Sequence, residues 1–167
     1  MKRIHFIGIG GSGLSAIARL LKESGYEVTG SDQALSPFAK DLQSAGVQIF
    51  VGHHPRNVSG AEIVIRSSAV KDDNPEVEAA RRAGVPVYKR SDFLGQLMEQ
   101  KLGIAIAGTH GKTTTTAMIA WMLFSLNRDP SFIAGGTLNN LQVNARAGKG
   151  DAFVIEAAEY DRMFLGL

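Results

Sequence analysis

The sequence predicts an α/β protein with parallel sheets, and three features of its 167 residues support this fold class. Short apolar runs of strand length alternate with helix-like segments along most of the chain. Two glycine-rich segments, 8–13 and 108–111, each follow a strand-like run and open a helix-like one. A fresh strand-like run begins at residue 102, after a predicted helix. Because such alternation is typical of parallel sheets covered by helices, we expect two consecutive α/β domains, residues 1–98 and 99–167.

The elements of the first domain follow from periodicity and from turn residues. Ile4–Ile9 is short and rich in β-branched residues, which suits a buried parallel strand. Apolar residues recur at helical spacing in Leu14–Glu23, and Ser36 followed by Pro37 is typical of a helix start. The predicted strands are 4–9, 26–30, 47–51, 62–66 and 85–88. The predicted helices are 14–23, 37–45, 75–83 and 91–100, the last of them capped by Ser91.

The second domain is predicted to be incomplete. Its elements are a strand at 102–107, a long helix at 112–126 and strands at 131–134 and 152–155. A doubly wound sheet normally carries more strands, so we expect the truncated start of a larger domain. Met118, Trp121, Met122 and Leu123 fall at helical spacing and are predicted to lie in its core. Residues 139–146 are predicted as a loop that either lines a substrate channel or is solvated.

Composition excludes several function classes. A net charge of +2 is too small to indicate binding to nucleic acid or to a membrane surface. The chain has no cysteine, which excludes disulfides, thiolate metal sites and cysteine nucleophiles. The apolar runs are far shorter than the roughly 20 residues of a membrane span, and the start lacks a signal-peptide pattern. We therefore expect a cytoplasmic protein with no nucleic-acid or membrane partner, and the oligomeric state stays open.

The first glycine-rich segment has the G-x-G-x-x-G pattern of a Rossmann-like domain. Glycines at these positions allow a tight turn and let backbone amides approach a diphosphate at a helix N-terminus. Asp32 follows at about the 20-residue distance of a ribose-binding acid. Alternatively, the glycines only permit close helix–strand packing and Asp32 caps a loop. The candidate ligand-binding residues are Gly8, Gly10, Gly11, Ser12, Gly13 and Asp32, and the pattern leaves NAD, FAD and a UDP-sugar open.

The second glycine-rich segment has the Gly-Lys-Thr core of a phosphate-binding loop (P-loop), although Ile106 stands where the standard pattern has its first glycine. In such a loop the backbone amides hold phosphates, the lysine reaches the β- and γ-phosphates, and the threonine hydroxyl binds Mg²⁺. The sequence therefore predicts ATP and Mg²⁺ as cofactors. Alternatively, this segment is only a capped helix start with a solvated lysine and binds no nucleotide. The candidate ATP-binding residues are Gly108, Thr109, Gly111, Lys112, Thr113 and Thr114.

Taken together, these segments resemble the Mur ligases, the amide-forming enzymes of peptidoglycan precursor synthesis. The Gly-Thr-His-Gly-Lys-Thr-Thr-Thr-Thr run at 108–116 is similar to the ATP loop of that family, and residues 5–15 are similar to the opening of one member. The resemblance runs in order along the whole chain. It also includes 30–32, 52–53, 67–69, 73–76, 135–136, 144–146 and 156–161.

The resemblance implies a reaction and a set of roles. ATP would activate the carboxylate of UDP-N-acetylmuramate as an acyl phosphate, which the amine of L-alanine then attacks. Lys112, Glu156 and His110 would act in catalysis, and Thr113 and Glu156 would hold Mg²⁺. The substrate-binding residues would be the first glycine segment with Asp32, His53, Ser67 and Ser68. Ala158 departs from the family pattern, which often has aspartate there, so any support from that carboxylate is missing.

Three other interpretations stay open at this point. A related ligase adds a recycled tripeptide to the same UDP-sugar, although its pattern has a less glycine-rich first turn. An NAD-binding Rossmann module fits the first 35 residues but has no use for the second loop. A non-catalytic nucleotide sensor is compatible with Ala158. Because the family's third domain is absent, we expect the chain alone to be inactive. His5, within the first strand, is expected to be a buried histidine with satisfied hydrogen bonds.

Overall fold

The computed structural model describes residues 2–99 and 101–157, which form two compact units, Met1–Arg90 and Ser91–Leu167. The contacts divide the chain eight residues earlier than the predicted boundary between 98 and 99, so the helix that was expected to close the first domain groups with the second unit. The predicted mixed α/β class is confirmed in both units.

The first unit is built on a five-stranded sheet in the order β3-β2-β1-β4-β5, and every neighbouring pair is parallel. The strands are β1 Arg3–Ile7, β2 Glu27–Asp32, β3 Gln48–Val51, β4 Ile63–Arg66 and β5 Val87–Lys89. The chain order reverses between β1 and β4. In an open parallel sheet, ligands bind at such a switch point, outside the carboxyl ends of the strands.

Two of the first unit's helices begin at residues whose side chains cap the helix N-terminus. The helices are α1 Ser12–Glu23, α2 Pro37–Ser44 and α3 Pro75–Arg82, with a 3-10 turn at Pro55–Val58 that the sequence did not predict. Ser36 Oγ accepts from Ala39 N at the start of α2, and Asn74 Oδ1 accepts from Glu76 N at the start of α3. Such caps satisfy amides that the first helical turn leaves free. The fourth helix, α4, runs Arg90–Met98.

The second unit has a four-stranded sheet in the order β6-β9-β7-β8 and one long helix. Its elements are β6 Leu102–Ile106, α5 Lys112–Ser125, β7 Ser131–Leu138, β8 Val143–Arg146 and β9 Ala152–Glu156. The first three strands in the order are parallel, but β8 pairs antiparallel with β7. The prediction of parallel strands throughout is therefore wrong here, because a tight turn after Leu138 folds β8 back as a hairpin.

Two expectations for side chains of the second unit are also wrong. Met118, Trp121 and Met122 are exposed at 66%, 38% and 55%, and Ala120 is buried in their place. Helical spacing shows that residues share a face but not which face the sheet covers. Residues 143–146 form a strand in which Asn144 is buried, so they are neither a solvated nor a channel-lining loop. Within the described chain, no helix has the length and apolar character that crossing a membrane would require.

Candidate functional site

An open cleft of about 720 Å³ lies at the carboxyl edge of the first sheet, where β1 and β4 meet. Loops after four of the parallel strands contribute to it, as expected for a sheet of this topology. Its lining includes six of the predicted residues, Gly8, Gly10, Gly11, Asp32, His53 and Ser67. Ser12, Gly13 and Ser68 are not among the lining residues.

The glycines of the first turn serve two different purposes. Gly8 adopts a φ of 85°, and its amide donates to Ser31 O at 2.8 Å, which holds the end of β1 beside the end of β2. A Cβ atom at Gly13 would lie 1.8 Å from the Arg90 guanidinium. Arg90 therefore packs directly against this glycine and leaves no room for a side chain. The packing alternative therefore describes Gly13, while Gly8 and Gly11 border open space in the cleft.

Asp32, at the end of β2, is engaged by the turn itself. Its Oδ2 accepts a hydrogen bond from Gly10 N at 2.7 Å, and its Oδ1 accepts from Gln33 N at 2.7 Å. Ser36 Oγ adds a hydrogen bond to Gly10 O at 2.8 Å. The loop-capping alternative thus describes what Asp32 does in this structure. Since the carboxylate also lines the cleft, a contact with a ligand hydroxyl stays a prediction.

A buried carboxylate that sequence reasoning missed lies directly behind the cleft. Glu76, in the first turn of α3, is 0% exposed. Its Oε2 accepts from Ser31 Oγ and lies 3.3 Å from His53 Nδ1, while its Oε1 accepts from Asn57 Nδ2 at 2.5 Å. Residues 73–76 had been noted only as part of the family resemblance. An acid one residue after an Asn-Pro helix start was the available signal.

The ionisation of Glu76 follows from its neighbours. Burial by itself raises the pKa of this carboxyl, but the polar side chains around it, His5, Ser31 and Asn57, lower the pKa to about 2. His5 is buried as predicted, and its Nδ1 lies 2.9 Å from Thr29 Oγ1. Its Nε2 is 3.6 Å from Glu76 Oε2, too long for a hydrogen bond. His5 Nε2 has no hydrogen-bond partner among the described residues, so the hydrogen bonds of His5 are not fully satisfied.

The phosphate loop of the second unit joins β6 to α5. Gly111 caps the helix in a left-handed conformation with φ of 75°, and α5 begins at Lys112. Lys112 Nζ donates to the carbonyl oxygens of Gly108 and Thr109, so the ammonium is folded back over the loop. His110 is exposed and has no hydrogen-bond partner among the described residues. A helix start with free amides and a nearby ammonium is a favourable place for an anion.

Thr113 and Glu156 meet beside this loop. Glu156 ends β9, which pairs with β6, and its Oε2 accepts from Thr113 Oγ1 at 2.9 Å and from Gly135 N at 2.7 Å. A side chain at Gly135 would begin 2.6 Å from that same oxygen. Hydroxyl and carboxylate oxygens are ligands that Mg²⁺ accepts, usually with phosphate and water completing the shell. The described residues therefore fit the predicted pair of metal ligands, and the role itself stays a prediction.

A second cavity, of about 360 Å³, lies next to the phosphate loop. It is formed by the exposed face of α5, with Met118 and Trp121, and by Asn139 and Asn140 after β7. Thr113 and Thr114 also line it. The predicted effect of Ala158 and the resemblance at 159–161 lie outside the described residues.

Comparison with known proteins decides the family. A family model described as "Mur ligase family, catalytic domain" matches residues 3–102. The chain belongs to the Mur ligase family. The predicted resemblance is thereby confirmed, and it rests on the unit that contains the cleft as well as on the phosphate-loop pattern.

Curated relatives match the full length of the chain. UDP-N-acetylmuramate–L-alanine ligases from Leptothrix cholodnii and Polynucleobacter asymbioticus are 51% and 52% identical to it over 167 residues. These 167 residues are 100% of this chain and 36% and 35% of the two relatives. The chain therefore spans about a third of the length of the relatives that it matches.

Solved structures of Mur ligases share the fold. UDP-N-acetylmuramate–alanine ligase from Thermotoga maritima has a TM-score of 0.85 at 36% identity, over 93% of this chain and 37% of that one. A UDP-N-acetylmuramate:L-alanyl-gamma-D-glutamyl-meso-diaminopimelate ligase from Neisseria meningitides has a TM-score of 0.88 at 33% identity, over 96% and 54%. The α/β fold predicted from the sequence is thus confirmed by Mur ligases of two specificities.

Proposed function

We propose that this chain supplies the UDP-sugar-binding unit and the first part of the ATP-binding unit of a ligase that joins L-alanine to UDP-N-acetylmuramate. The observation that supports it most is the meeting of Thr113 and Glu156 beside Lys112 at one loop, in the same chain as an open cleft of about 720 Å³. Relatives about 50% identical carry that ligase name. The reaction belongs in the cytoplasm, where ATP and nucleotide sugars are available.

In this proposal the second unit activates the substrate carboxylate. Phosphoryl transfer between two anions needs charge neutralisation and alignment more than covalent chemistry. The Lys112 ammonium and the amides at the start of α5 would bind the β- and γ-phosphates. Mg²⁺, held by Thr113 and Glu156, would supply further positive charge. The exposed His110 is available to contact phosphate or the substrate carboxylate.

The first unit would hold the UDP part of the substrate. Gly8, Gly10 and Gly11 line the cleft, and the absence of side chains there leaves room for a diphosphate, although their amides already donate within the turn. Asp32 and His53 also line the cleft and would contact the nucleoside. Ser67 closes β4 on the opposite side of the switch point. Ser12 and Ser68 lie outside the lining, so we give them no direct contact. The matched residues are 36% of the length of the Leptothrix cholodnii relative, and in this proposal they bind the substrate and the nucleotide.

A second candidate is a ligase that adds a peptide to the same UDP-sugar. It is favoured by the TM-score of 0.88 with the Neisseria peptide ligase, against 0.85 with the Thermotoga alanine ligase. Identity points the other way, at about 50% to curated alanine ligases. Both candidates use the same cleft, so they differ in the amine and not in the nucleotide sugar.

The proposal is tested by calorimetric titration of the chain with UDP-N-acetylmuramate, with NAD as a parallel ligand. We expect UDP-N-acetylmuramate to bind and NAD not to bind. Gly11→Ala should weaken that binding, because the added methyl group would occupy space in the cleft. The fold should tolerate the change, since the nearest protein atom, Gly8 O, would lie 3.7 Å from that methyl group. Binding of NAD in place of the UDP-sugar would overturn the proposal in favour of a dinucleotide module.

A further inference from the structure

The side chain of His53 is held at one nitrogen only. Its Nδ1 lies 3.1 Å from Ser31 Oγ and 3.3 Å from Glu76 Oε2. Its Nε2 has no hydrogen-bond partner among the described residues, and the ring lines the cleft. The structure thus presents one nitrogen to the protein and leaves the other for a ligand.

The hydrogen-bond geometry around Glu76 determines which nitrogen of His53 carries the proton. Asn57 Nδ2 and His54 N both donate to Oε1, and Ser31 Oγ donates to Oε2. A carboxyl group surrounded only by donors is an ionised acceptor. The single hydroxyl proton of Ser31 is used on Glu76, so both oxygens near His53 Nδ1 can only accept. Nδ1 must therefore be the donor.

A neutral imidazole has one N–H, so a proton on Nδ1 leaves a lone pair on Nε2. We infer that Glu76 and Ser31 are positioning residues that hold His53 in the Nδ1–H form, so that Nε2 accepts a hydrogen bond from the bound nucleotide. This inference rests on the proposed function. Ribose hydroxyls and the uracil N3–H are donors, whereas diphosphate oxygens are acceptors. His53 is thereby assigned to the nucleoside end of the ligand.

Replacing Glu76 by glutamine should reverse this arrangement. The glutamine carbonyl would take the Oε1 position, because Asn57 and His54 donate there. Its NH₂ would then take the Oε2 position and donate toward His53 Nδ1. His53 would accept at Nδ1 and carry its proton on Nε2, which would turn the ligand-facing acceptor into a donor.

The tautomer can be read directly from long-range ¹H–¹⁵N spectra of ¹⁵N-histidine-labelled chain, recorded at about pH 9, above the ordinary titration range of imidazole. Loss of signals in His53→Gln assigns them. We expect Nδ1–H in the wild type and Nε2–H in Glu76→Gln. Glu78→Gln is the matched control, since Glu78 lies in the same helix turn but is exposed, and among the described residues its side chain forms an ion pair with Arg82. Finding wild-type His53 in the Nε2–H form would overturn the inference. This spectrum decides the question even if Glu76→Gln does not fold.

Binding of UDP analogues gives the functional half of the test. Among UDP, 2′-deoxy-UDP, 3′-deoxy-UDP and N3-methyl-UDP, one analogue should bind the wild type about fivefold more weakly, the loss of about 1 kcal/mol for one hydrogen bond. That loss should disappear in His53→Ala, which offers no acceptor, and persist in Glu78→Gln. In Glu76→Gln it should disappear if the partner is the uracil N3–H, which cannot accept from Nε2–H, whereas a ribose hydroxyl could accept instead. If no analogue behaves so, Nε2 contacts no nucleoside donor and the inference is wrong. Failure of UDP itself to bind would contradict the proposed function, while the ligand-free spectrum would still decide the tautomer.

Discussion

The two glycine-rich turns have the same strand–loop–helix context but very different surroundings. β1 runs between β2 and β4, and four of its five residues are buried, whereas β6 pairs only with β9 and has no buried residue. Seven of the 12 residues of α1 are buried, against two of the 14 in α5. Nevertheless, Thr113 and Glu156 meet at 2.9 Å. The side chains of the phosphate loop therefore meet although few residues of β6 and α5 are buried, while the cleft of the first unit is supported by a buried core.

The largest expected effect concerns the buried carboxylate of Glu76, on which the stability of the first unit should depend. The pKa of Glu76 is about 2 in the folded chain, below its ordinary 4.5. Its ionised form therefore stabilises the fold above about pH 4.5, and this stability is lost as the pH falls toward about 2. A shift of this size corresponds to roughly 3 kcal/mol. Glu76→Gln should flatten this part of a urea-unfolding profile measured by circular dichroism, and Glu78→Gln should not.

This prediction also separates the two units. Trp121, the single tryptophan, lies on α5 and reports on the second unit. Its fluorescence should not follow the acid transition that depends on Glu76. An acid transition that Glu76→Gln leaves unchanged would show that the buried network does not stabilise the first unit.

The next effect concerns the second loop. Lys112→Ala should weaken binding of Mg·ATP by about 2 kcal/mol, roughly 30-fold, because it removes a charged donor to phosphate. Binding of UDP-N-acetylmuramate should be unchanged, since that ligand belongs to the other unit. Lys149→Ala, at an exposed lysine of the same unit, is the matched control. Equal losses in both variants would mean that only net charge matters and that the loop is not a specific site.

A smaller effect is expected from packing beneath the first turn. A methyl group at Gly30 would lie 2.4 Å from Ile9 Cδ1 and 3.0 Å from Phe6 O, so the core must shift. Gly30→Ala should cost about 1.5 kcal/mol of unfolding free energy, in the range of overpacked cores. Gly11→Ala should leave stability nearly unchanged and affect only ligand binding. If thermal unfolding shows equal losses, the distinction between a packing glycine and a cleft glycine fails.

The smallest effect lies at the link between α2 and the first turn. Ser36 caps α2 and also donates to Gly10 O. Ser36→Ala should cost about 1 kcal/mol, the usual loss for an N-cap, and should weaken UDP-N-acetylmuramate binding several-fold. The comparison variant is Ser44→Ala, which removes a side-chain hydrogen bond to Lys40 O at the other end of α2 and lies outside the cleft lining. Binding unchanged in Ser36→Ala, as measured by calorimetry, would show that the cap does not support the turn.

Sequence patterns predicted the features that depend on local chemistry. The alternation of strands and helices, the helix start at Ser36 and Pro37 and the two glycine turns follow from residue type and spacing, and the structure has all of them. The five-stranded parallel sheet of the first unit follows from that alternation. Within the candidate sites, six predicted residues line the first cleft. His53, Ser67 and Glu156 were indicated by the family resemblance and not by local spacing, and Glu156 contacts Thr113 from 43 residues away.

The remaining features depend on contacts far apart in the sequence. Glu76 lies 45 residues from Ser31 and 23 from His53. The Asn-Pro helix start marks the position of this acid, but it does not show that the side chain is buried between those two residues. The hairpin that makes β8 antiparallel depends on a turn with Gln142 at φ of 58°, a conformation that the sequence did not signal. The exposed face of α5 depends on what the sheet covers, which apolar spacing alone cannot give.

The most direct test of the account is a chimera in which this chain replaces the matching N-terminal segment of the Leptothrix cholodnii relative. Phosphate release from ATP is measured with UDP-N-acetylmuramate and L-alanine, with each omitted in turn, and with a tripeptide in place of L-alanine. We predict release that requires both UDP-N-acetylmuramate and L-alanine and that Lys112→Ala abolishes. A folded chimera that binds UDP-N-acetylmuramate but releases phosphate only with the tripeptide, or with neither amine, would contradict the account.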